Sequence, residues 1–221
     1  MNKTAKLGEK APLLQISDWV QGNPTNIDQL EGRVILIEVF QVNCPGCFLY
    51  SLPQAISLHQ KYFDKGLVIL GMATAFEDFD KNTLENIELL ATQNKVTGET
   101  LRALTENNHL INGQLPFHIP FPLAMDQITK HKNEITNNEV DLFIKLHFPD
   151  FIHQNERQKK QTQQNVLSYL QSRLSTAETF KLYNLQGTPS HIVIDKKGRL
   201  KACEFGHFSD LEWLISALLE E

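Results

Sequence analysis

The sequence has few cysteines, no long apolar run and no excess of basic charge, and each shortage excludes a class of protein. Three cysteines in 221 residues are too few for a disulfide-stapled scaffold, and 41% apolar residues can bury a core without one. No stretch approaches the roughly 18 apolar residues of a membrane-spanning helix. With a net charge of −5 and no basic patch, the chain is not expected to bind nucleic acid.

The first ten residues also lack the apolar segment that a secretory signal peptide carries. We therefore predict a cytoplasmic location for the chain as given. In that compartment two closely spaced cysteines are more often catalytic than structural. The odd cysteine, Cys203, lies in an alternating strand-like segment and is interpreted as a small buried apolar residue.

The most informative feature that is present is the motif CPGC at residues 44–47, placed between a predicted strand and a predicted helix. The apolar run Val34–Phe40 is typical of a strand buried on both faces, and residues 48–65 show helical spacing. Cys44 then lies at the start of the helix and Cys47 in its first turn, where free N–H groups and the helix dipole favour a thiolate. From the residues alone, the pair is either a redox disulfide or half of a tetrahedral metal site.

The pattern of the whole chain predicts one α/β domain over residues 1–221. Strand 34–40, the helix after it and strand 67–73 form a βαβ unit, so these two strands should be parallel. Further elements are predicted at 82–93 and 97–108 (helices), 121–125 (strand), 191–194 and 200–205 (an antiparallel hairpin), and at the C-terminus (a helix).

Two stretches are expected to lie outside the core, which we assign to residues 33–126 and 174–221. Residues 7–32 predict an N-terminal β extension. Residues 127–173 are rich in Gln, Asn and Lys and predict a mostly helical insertion.

Three local signals predict where helices begin or bend. Ser175–Glu178 and Ser209–Glu212 both have the spacing of a capping box, which places a helix start at each. Pro53 lies within the predicted helix after the CPGC motif and should kink it.

Three further segments carry motifs of a known family. Leu7–Pro12 resembles the opening G-x-x-A-P, Leu30–Ile37 the L-x-G-[KR]-V entry to a central strand, and Leu185–Gly198 the V-x-G-T-P segment that ends in I-D-x-x-G. Together with the CxxC pair they resemble the redoxin branch of the thioredoxin-like superfamily, which groups TlpA-like thiol–disulfide oxidoreductases with peroxiredoxins. The resemblance implies a thioredoxin-like fold, with a central mixed sheet flanked by helices.

The resemblance also implies an activity, thiol–disulfide exchange. Cys44 would attack and Cys47 would resolve, and their disulfide would be the only redox group, with no separate cofactor and no metal. Glu38 lies where many such proteins carry a buried acid. Burial would raise its pKa and suit it to accept the proton of Cys47, unless it pairs with a lysine or points to a polar edge.

Partners implied by the resemblance are protein or small-molecule disulfides and thiols. The residues expected to contact them are Asn43, Pro45, Gly46, Thr188 and Pro189, with Pro189 in the cis form. Asn43 stands where thioredoxins usually have Trp, and Pro-Gly replaces their Gly-Pro, so the partner set and the reduction potential differ from theirs in ways the sequence does not give.

Two other functions stay open at this point. A peroxiredoxin-like peroxidase would need Pro and Thr where Ile37 and Gln41 stand. A non-enzymatic metal-binding module would need four ligands; there is no second CxxC, and His191 and His207 are the possible third ligands.

Overall fold

A mixed β-sheet forms the centre of the computed structural model, which describes residues 4–131 and 134–221. The strands are β1 (Ile16–Gln21), β2 (Val34–Phe40), β3 (Leu67–Ala73), β4 (Leu123–Asp126), β5 (Ile128–Lys130), β6 (Ser175–Ala177), β7 (Ser190–Ile194) and β8 (Leu200–Phe205). Six of them form one sheet in the order β1-β4-β3-β2-β7-β8, and β5 pairs with β6 in a separate small sheet. In the large sheet, β2–β3 and β3–β4 are parallel and the other pairs are antiparallel. The predicted parallel βαβ unit is therefore present.

The helices are α1 (Leu52–Tyr62), α2 (Leu84–Gln93), α3 (Gly98–Glu106), α4 (Asn137–His147), α5 (Glu156–Ser172), α6 (Glu178–Leu182) and α7 (Leu211–Glu220). Helices α1, α2, α3 and α7 contribute to the core on one face of the large sheet, and α4 and α5 pack against each other around a core of their own. Short 3₁₀ turns occur at Ile27–Leu30, Phe63–Lys65 and Pro149–His153, and a π-helical turn spans Cys47–Ser51. The predicted α/β class and mixed sheet flanked by helices are confirmed.

Strand β2 is buried along its whole length, as its continuous apolar run predicts. Val34, Leu36 and Phe40 face a core formed with α1, α2, α3 and α7. The intervening residues Ile35 and Ile37 face a second core on the opposite side. Because side chains alternate along a strand, Glu38 lies on the same face as Phe40, the face covered by α1.

The capping box expected at Ser175–Glu178 is wrong. Ser175 belongs to β6, which pairs with β5, and α6 begins at Glu178 without a side-chain cap from its own start. Its first N–H groups are bound by a distant carboxylate instead: Asp126 accepts from Thr179 N at 2.8 Å and from Phe180 N at 3.1 Å. Because Asp126 binds the first N–H groups of α6, the helix does not need a cap from Ser175, and Ser175 pairs within β6 instead.

The capping box expected at Ser209–Glu212 is also wrong. Helix α7 does begin there, but its N-cap Asp210 makes no side-chain capping hydrogen bond. Glu212 turns to α1, where it binds Lys61 and accepts from the Tyr62 hydroxyl at 3.1 Å. A tertiary contact has again replaced the local one.

The predicted helix after Cys47 is not one helix bent at Pro53. A π-helical turn at Cys47–Ser51 comes first, closed by the bond from Leu52 N to the carbonyl of Cys47. Pro53 then lies in the first turn of α1, where its missing N–H costs nothing. The irregularity therefore begins at the second cysteine of the CPGC motif, before the proline.

Residues 127–173 hold β5, α4 and α5 around a small core of Val140, Ile144 and Val166. The paired strands β5 and β6 join the two ends of this segment. Residues 1–3 of the predicted domain and residues 132 and 133 of the predicted insertion lie outside the described residues. No helix in the described part of the chain is long and apolar enough to cross a membrane.

Candidate active site

The two cysteines of the CPGC motif form a disulfide at the end of β2, with their Cα atoms 5.4 Å apart. Cys44 is half-buried and Cys47 is fully buried. The backbone N–H of Cys47 points to Cys44 Sγ at 3.3 Å. An N–H donor at the start of a helical segment stabilises a thiolate at Cys44, the sulfur that a partner can reach.

The loop before β7 lies beside this disulfide, because β7 pairs with β2. The Thr188–Pro189 peptide bond is cis, and the Thr188 carbonyl oxygen lies 3.5 Å from Cys44 Sγ. The Pro189 carbonyl accepts from Gly206 N at 2.9 Å, which ties the loop to the end of β8. The structure thus brings Thr188 and Pro189 to Cys44, although 144 residues separate Thr188 from it along the chain.

Glu38 is fully buried beneath this site, and its partner is neither a lysine nor solvent. Its Oε2 lies 2.8 Å from Nδ1 of His191, which stands directly opposite on β7. Its Oε1 has no hydrogen-bond partner among the described residues. A buried carboxylate oxygen without a partner is costly, and it leaves Glu38 able to accept a proton.

His191 is 1% exposed, and its Nε2 lies 3.0 Å from the carbonyl oxygen of Gly206. Burial by itself lowers the pKa of His191, but the hydrogen bond and the charge of Glu38 raise it above the ordinary histidine value. From the sequence, His191 is a possible third metal ligand or a packing histidine, and its pairing with Glu38 is not predicted. The available signal was that Glu38 and His191 are each a titratable residue inside an otherwise apolar strand.

Asn43 lies beside the disulfide, but its side chain is held by its own protein. Its Oδ1 accepts from Glu99 N at 2.6 Å, at the first turn of α3, whose N-cap Thr97 makes no side-chain capping bond. Its Nδ2 donates to Asp78 Oδ2 at 2.8 Å. Asn43 therefore caps α3, although the two are far apart along the chain. Its position directly before Cys44 predicts a partner contact and does not predict this cap.

Replacing Asn43 with alanine should lower the free energy of unfolding by about 1 kcal/mol, the usual cost of losing a helix cap. Asn43→Asp should lose about as much, because its carboxylate would face that of Asp78. Urea unfolding measures both, and the KM for a protein disulfide tests the predicted substrate contact. Unchanged stability with a raised KM would show that Asn43 serves the partner instead of the helix.

Pro45 and Gly46 are half-buried at the rim of the site. A groove of about 420 Å³ opens next to them, and apolar atoms dominate its lining. It is bordered by Gly46, Tyr50, Ser51, Gln54, Pro189, His191, Gly206 and His207. The groove joins the cysteine motif to the Pro189 loop, so a partner chain can contact both.

The positions that a peroxidase motif would use have other roles. Ile37 is buried in the core on the far side of β2. Gln41 is 3% exposed, and its side chain binds the Thr188 hydroxyl at 3.2 Å and the Glu77 carbonyl at 3.3 Å. Gln41 thus fastens the Thr188 loop and supplies no hydroxyl near Cys44.

Neither candidate metal ligand joins the cysteines. His191 is bound by Glu38 and Gly206, and His207 is exposed at the groove. Within residues 4–131 and 134–221, no group of three or more His, Cys, Asp or Glu side chains is arranged to hold a metal ion.

Comparisons with known proteins agree with this geometry. No protein-family model matches the chain. FixW of Rhizobium leguminosarum is 30% identical over 77 residues, which are 35% of this chain and 34% of FixW, so the chain matches about a third of that protein. A thiol-disulfide isomerase from Corynebacterium glutamicum is 25% identical, with a TM-score of 0.57 over 98% of this chain and 97% of that one.

A second solved structure, the thioredoxin-like superfamily protein SPOA0173, is also 25% identical, with a TM-score of 0.55 over 96% of this chain and 97% of its own. A putative thiol:disulfide interchange protein DsbE from Chlorobium tepidum is 16% identical and shares the fold, with a TM-score of 0.52 over 98% of this chain and 99% of its own. The likeness extends over nearly the whole chain in each case, including the segment 127–173.

Proposed function

We propose that this thioredoxin-like protein, a member of the redoxin branch, is a thiol–disulfide oxidoreductase in which Cys44 attacks and Cys47 resolves. The observation that carries the proposal is the position of the disulfide. Cys44 is accessible, lies at the start of a helical segment and stands 3.5 Å from the Thr188 carbonyl, whereas Cys47 is buried behind it. Because of this difference in exposure, Cys44 can attack a partner disulfide and Cys47 can then displace the partner from Cys44.

The reaction starts from the reduced dithiol. The Cys44 thiolate attacks one sulfur of a partner disulfide, forms a mixed disulfide and releases the other partner sulfur as a thiolate. Cys47 then loses its proton and attacks Cys44 Sγ, which forms the Cys44–Cys47 disulfide and releases the second partner thiolate. The released thiolates take up protons. Two electrons pass from the dithiol to the partner, and the same steps in reverse oxidise a partner dithiol.

Glu38 is proposed as the acceptor of the Cys47 proton. It lies on the face of β2 that Cys47 also packs against, and its Oε1 is free to accept. Burial of Cys47 makes such an acceptor necessary, because water reaches its thiol poorly.

Partner binding is assigned to the surface between the motif and the loop before β7. The Thr188 backbone can pair with an extended partner segment in a short β-like contact, while Gly46 and Pro189 border the groove beside it and the half-buried Pro45 precedes Gly46 in the motif. Backbone pairing recognises many sequences, so protein and small-molecule disulfides and thiols are the proposed partners. The cytoplasmic location predicted from the sequence belongs to the same proposal.

Redox titration of the whole chain against glutathione tests the proposal. The Cys44–Cys47 pair should convert between dithiol and disulfide as a single two-electron couple, and the reduced protein should reduce insulin. Cys203→Ser is the matched control: burial raises the pKa of Cys203 to about 11, so this thiol stays protonated and its loss should change neither result. A pair that never cycles, or insulin reduction no faster than with free dithiol, would refute the proposal.

A further inference from the structure

The buried pair of Glu38 and His191 has a proton count that its geometry fixes. His191 Nε2 faces the Gly206 carbonyl, which can only accept, so Nε2 carries a proton. The 2.8 Å contact between Nδ1 and Glu38 Oε2 holds one more proton, because two lone pairs would otherwise face each other. With that shared proton the pair is electrically neutral, an imidazolium next to a carboxylate.

Neutrality matters because the pair is buried next to the site where a second negative charge must form. A lone buried carboxylate would repel the Cys47 thiolate, and a low-dielectric interior strengthens that repulsion. His191 also borders the groove that Gly46 and Ser51 line, on either side of Cys47. The imidazolium therefore lies on the same side of the sheet as the resolving thiol.

We propose that His191 is a positioning residue for the resolving step: its positive charge, held in place by Glu38, favours the thiolate of Cys47 when it attacks Cys44. The inference rests on the proposed thiol–disulfide exchange. The proposal gives His191 a role in the resolving step, which the family resemblance does not imply.

The step balances as follows. The Cys47 thiol gives its proton to Glu38 Oε1, and the imidazolium of His191 keeps its charge. The thiolate formed is then offset by one positive charge, so the site gains no net charge. Cys47 Sγ bonds to Cys44 Sγ, the bond from Cys44 to the partner sulfur breaks, and the partner leaves as a thiolate that takes a proton from solvent.

Other charged groups face His191 as well. Glu204 stands opposite it on β8, and its charge also favours the protonated ring. His207 and Tyr50 border the groove, both exposed to solvent, which screens them. Among these charged groups Glu38 is fully buried and in direct contact with His191, so it raises the pKa of His191 more than the others do.

The test follows the resolving step directly. In a Cys203→Ser background, a mixed disulfide between Cys44 and thionitrobenzoate is formed by stopped flow, and release of the coloured thiol reports attack by Cys47. For His191→Gln we expect release about tenfold slower near pH 6 to 7, because without the positive charge of His191 a smaller fraction of Cys47 is present as the thiolate. The difference should shrink as the pH rises, because hydroxide then removes the Cys47 proton whether or not His191 is present.

Matched variants complete the experiment. Glu38→Gln should show the same pH-dependent loss, and the double variant should be no slower than the slower single one, because the two side chains act as a unit. His153→Gln, an exposed histidine of the segment 127–173, should behave as the parent. An unchanged profile for His191→Gln, or a loss equal at all pH values, would overturn the inference. If Cys47→Ser released the thiol as fast as the parent, the proposed exchange mechanism itself would fail.

A second measurement needs no substitution at position 191. Nitrogen-15 NMR of the parent protein should show both ring nitrogens of His191 protonated near pH 6, with a midpoint that changes when the cysteine pair is reduced. A neutral His191 ring at that pH, or a midpoint independent of the redox state, would contradict the inference even if His191→Gln does not fold.

Discussion

Cys44→Ser should lose thiol–disulfide exchange by a factor on the order of a thousand or more, because serine cannot form the mixed disulfide that starts the reaction. The buried Cys47 cannot replace it, since none of its surface is accessible to a partner. Insulin reduction and exchange with glutathione, each measured at a fixed thiol concentration, give the rates. Retained activity in this variant would rule out Cys44 as the attacking thiol.

Cys47→Ser should behave differently. Its Cys44 still attacks, but the mixed disulfide cannot be resolved and should accumulate as a covalent adduct visible by mass spectrometry. Cys203→Ser is again the control and should keep parental rates, because that thiol lies away from the site, with Sγ 3.5 Å from the Tyr183 carbonyl. If Cys44→Ser and Cys47→Ser gave the same adducts, the proposed division of roles would be wrong.

Asp126→Ala should have the largest effect on stability, a loss of about 2–4 kcal/mol in the free energy of unfolding. The carboxylate accepts from Thr74 Oγ1 at 2.9 Å and from the backbone N–H groups of Thr179 and Phe180, all at the end of β4. Alanine would leave these buried donors without partners. Urea unfolding, with the slope of the transition compared between variants, measures the loss.

Asp126→Asn is the informative comparison. Burial raises the pKa of Asp126, and the hydrogen bonds from Thr179, Thr74 and Phe180 oppose that rise, so the carboxylate is held at some cost. Asparagine keeps one acceptor and removes the charge, so it should lose less than alanine does. Asp18→Ala, exposed on β1, should stay within about 0.5 kcal/mol of the parent. A loss of that small size for Asp126→Ala would mean that the cap contributes nothing to the fold.

The sequence predicts well the features that local pattern determines. The apolar run of β2 predicts a strand buried on both faces, and the CPGC motif after it predicts a cysteine pair at a helix start; both are present, and of the two uses left open for the pair the structure shows the disulfide. The parallel pairing of β2 with β3 follows from the short connections of a βαβ unit. These features need only neighbouring residues and the general rules of chain geometry.

The features that the sequence did not predict are polar contacts between distant residues. Asp126 caps α6, Asn43 caps α3, and His191 is the partner of Glu38. The two residues of each pair are far apart along the chain and have no characteristic spacing, so no local sequence pattern predicts these contacts. The two predicted capping boxes are absent for a related reason: Asp126 binds the first N–H groups of α6, and Glu212 binds two side chains of α1.

The pairing of β7 with β2 also fixes when the site becomes complete during synthesis. Both cysteines belong to the first quarter of the chain, whereas Thr188, Pro189 and His191 lie in its last fifth. During synthesis both cysteines therefore emerge long before the Thr188 loop, which lies beside Cys44, and before His191, the partner of Glu38. The geometry that the proposed exchange requires is therefore complete only once β7 has paired with β2.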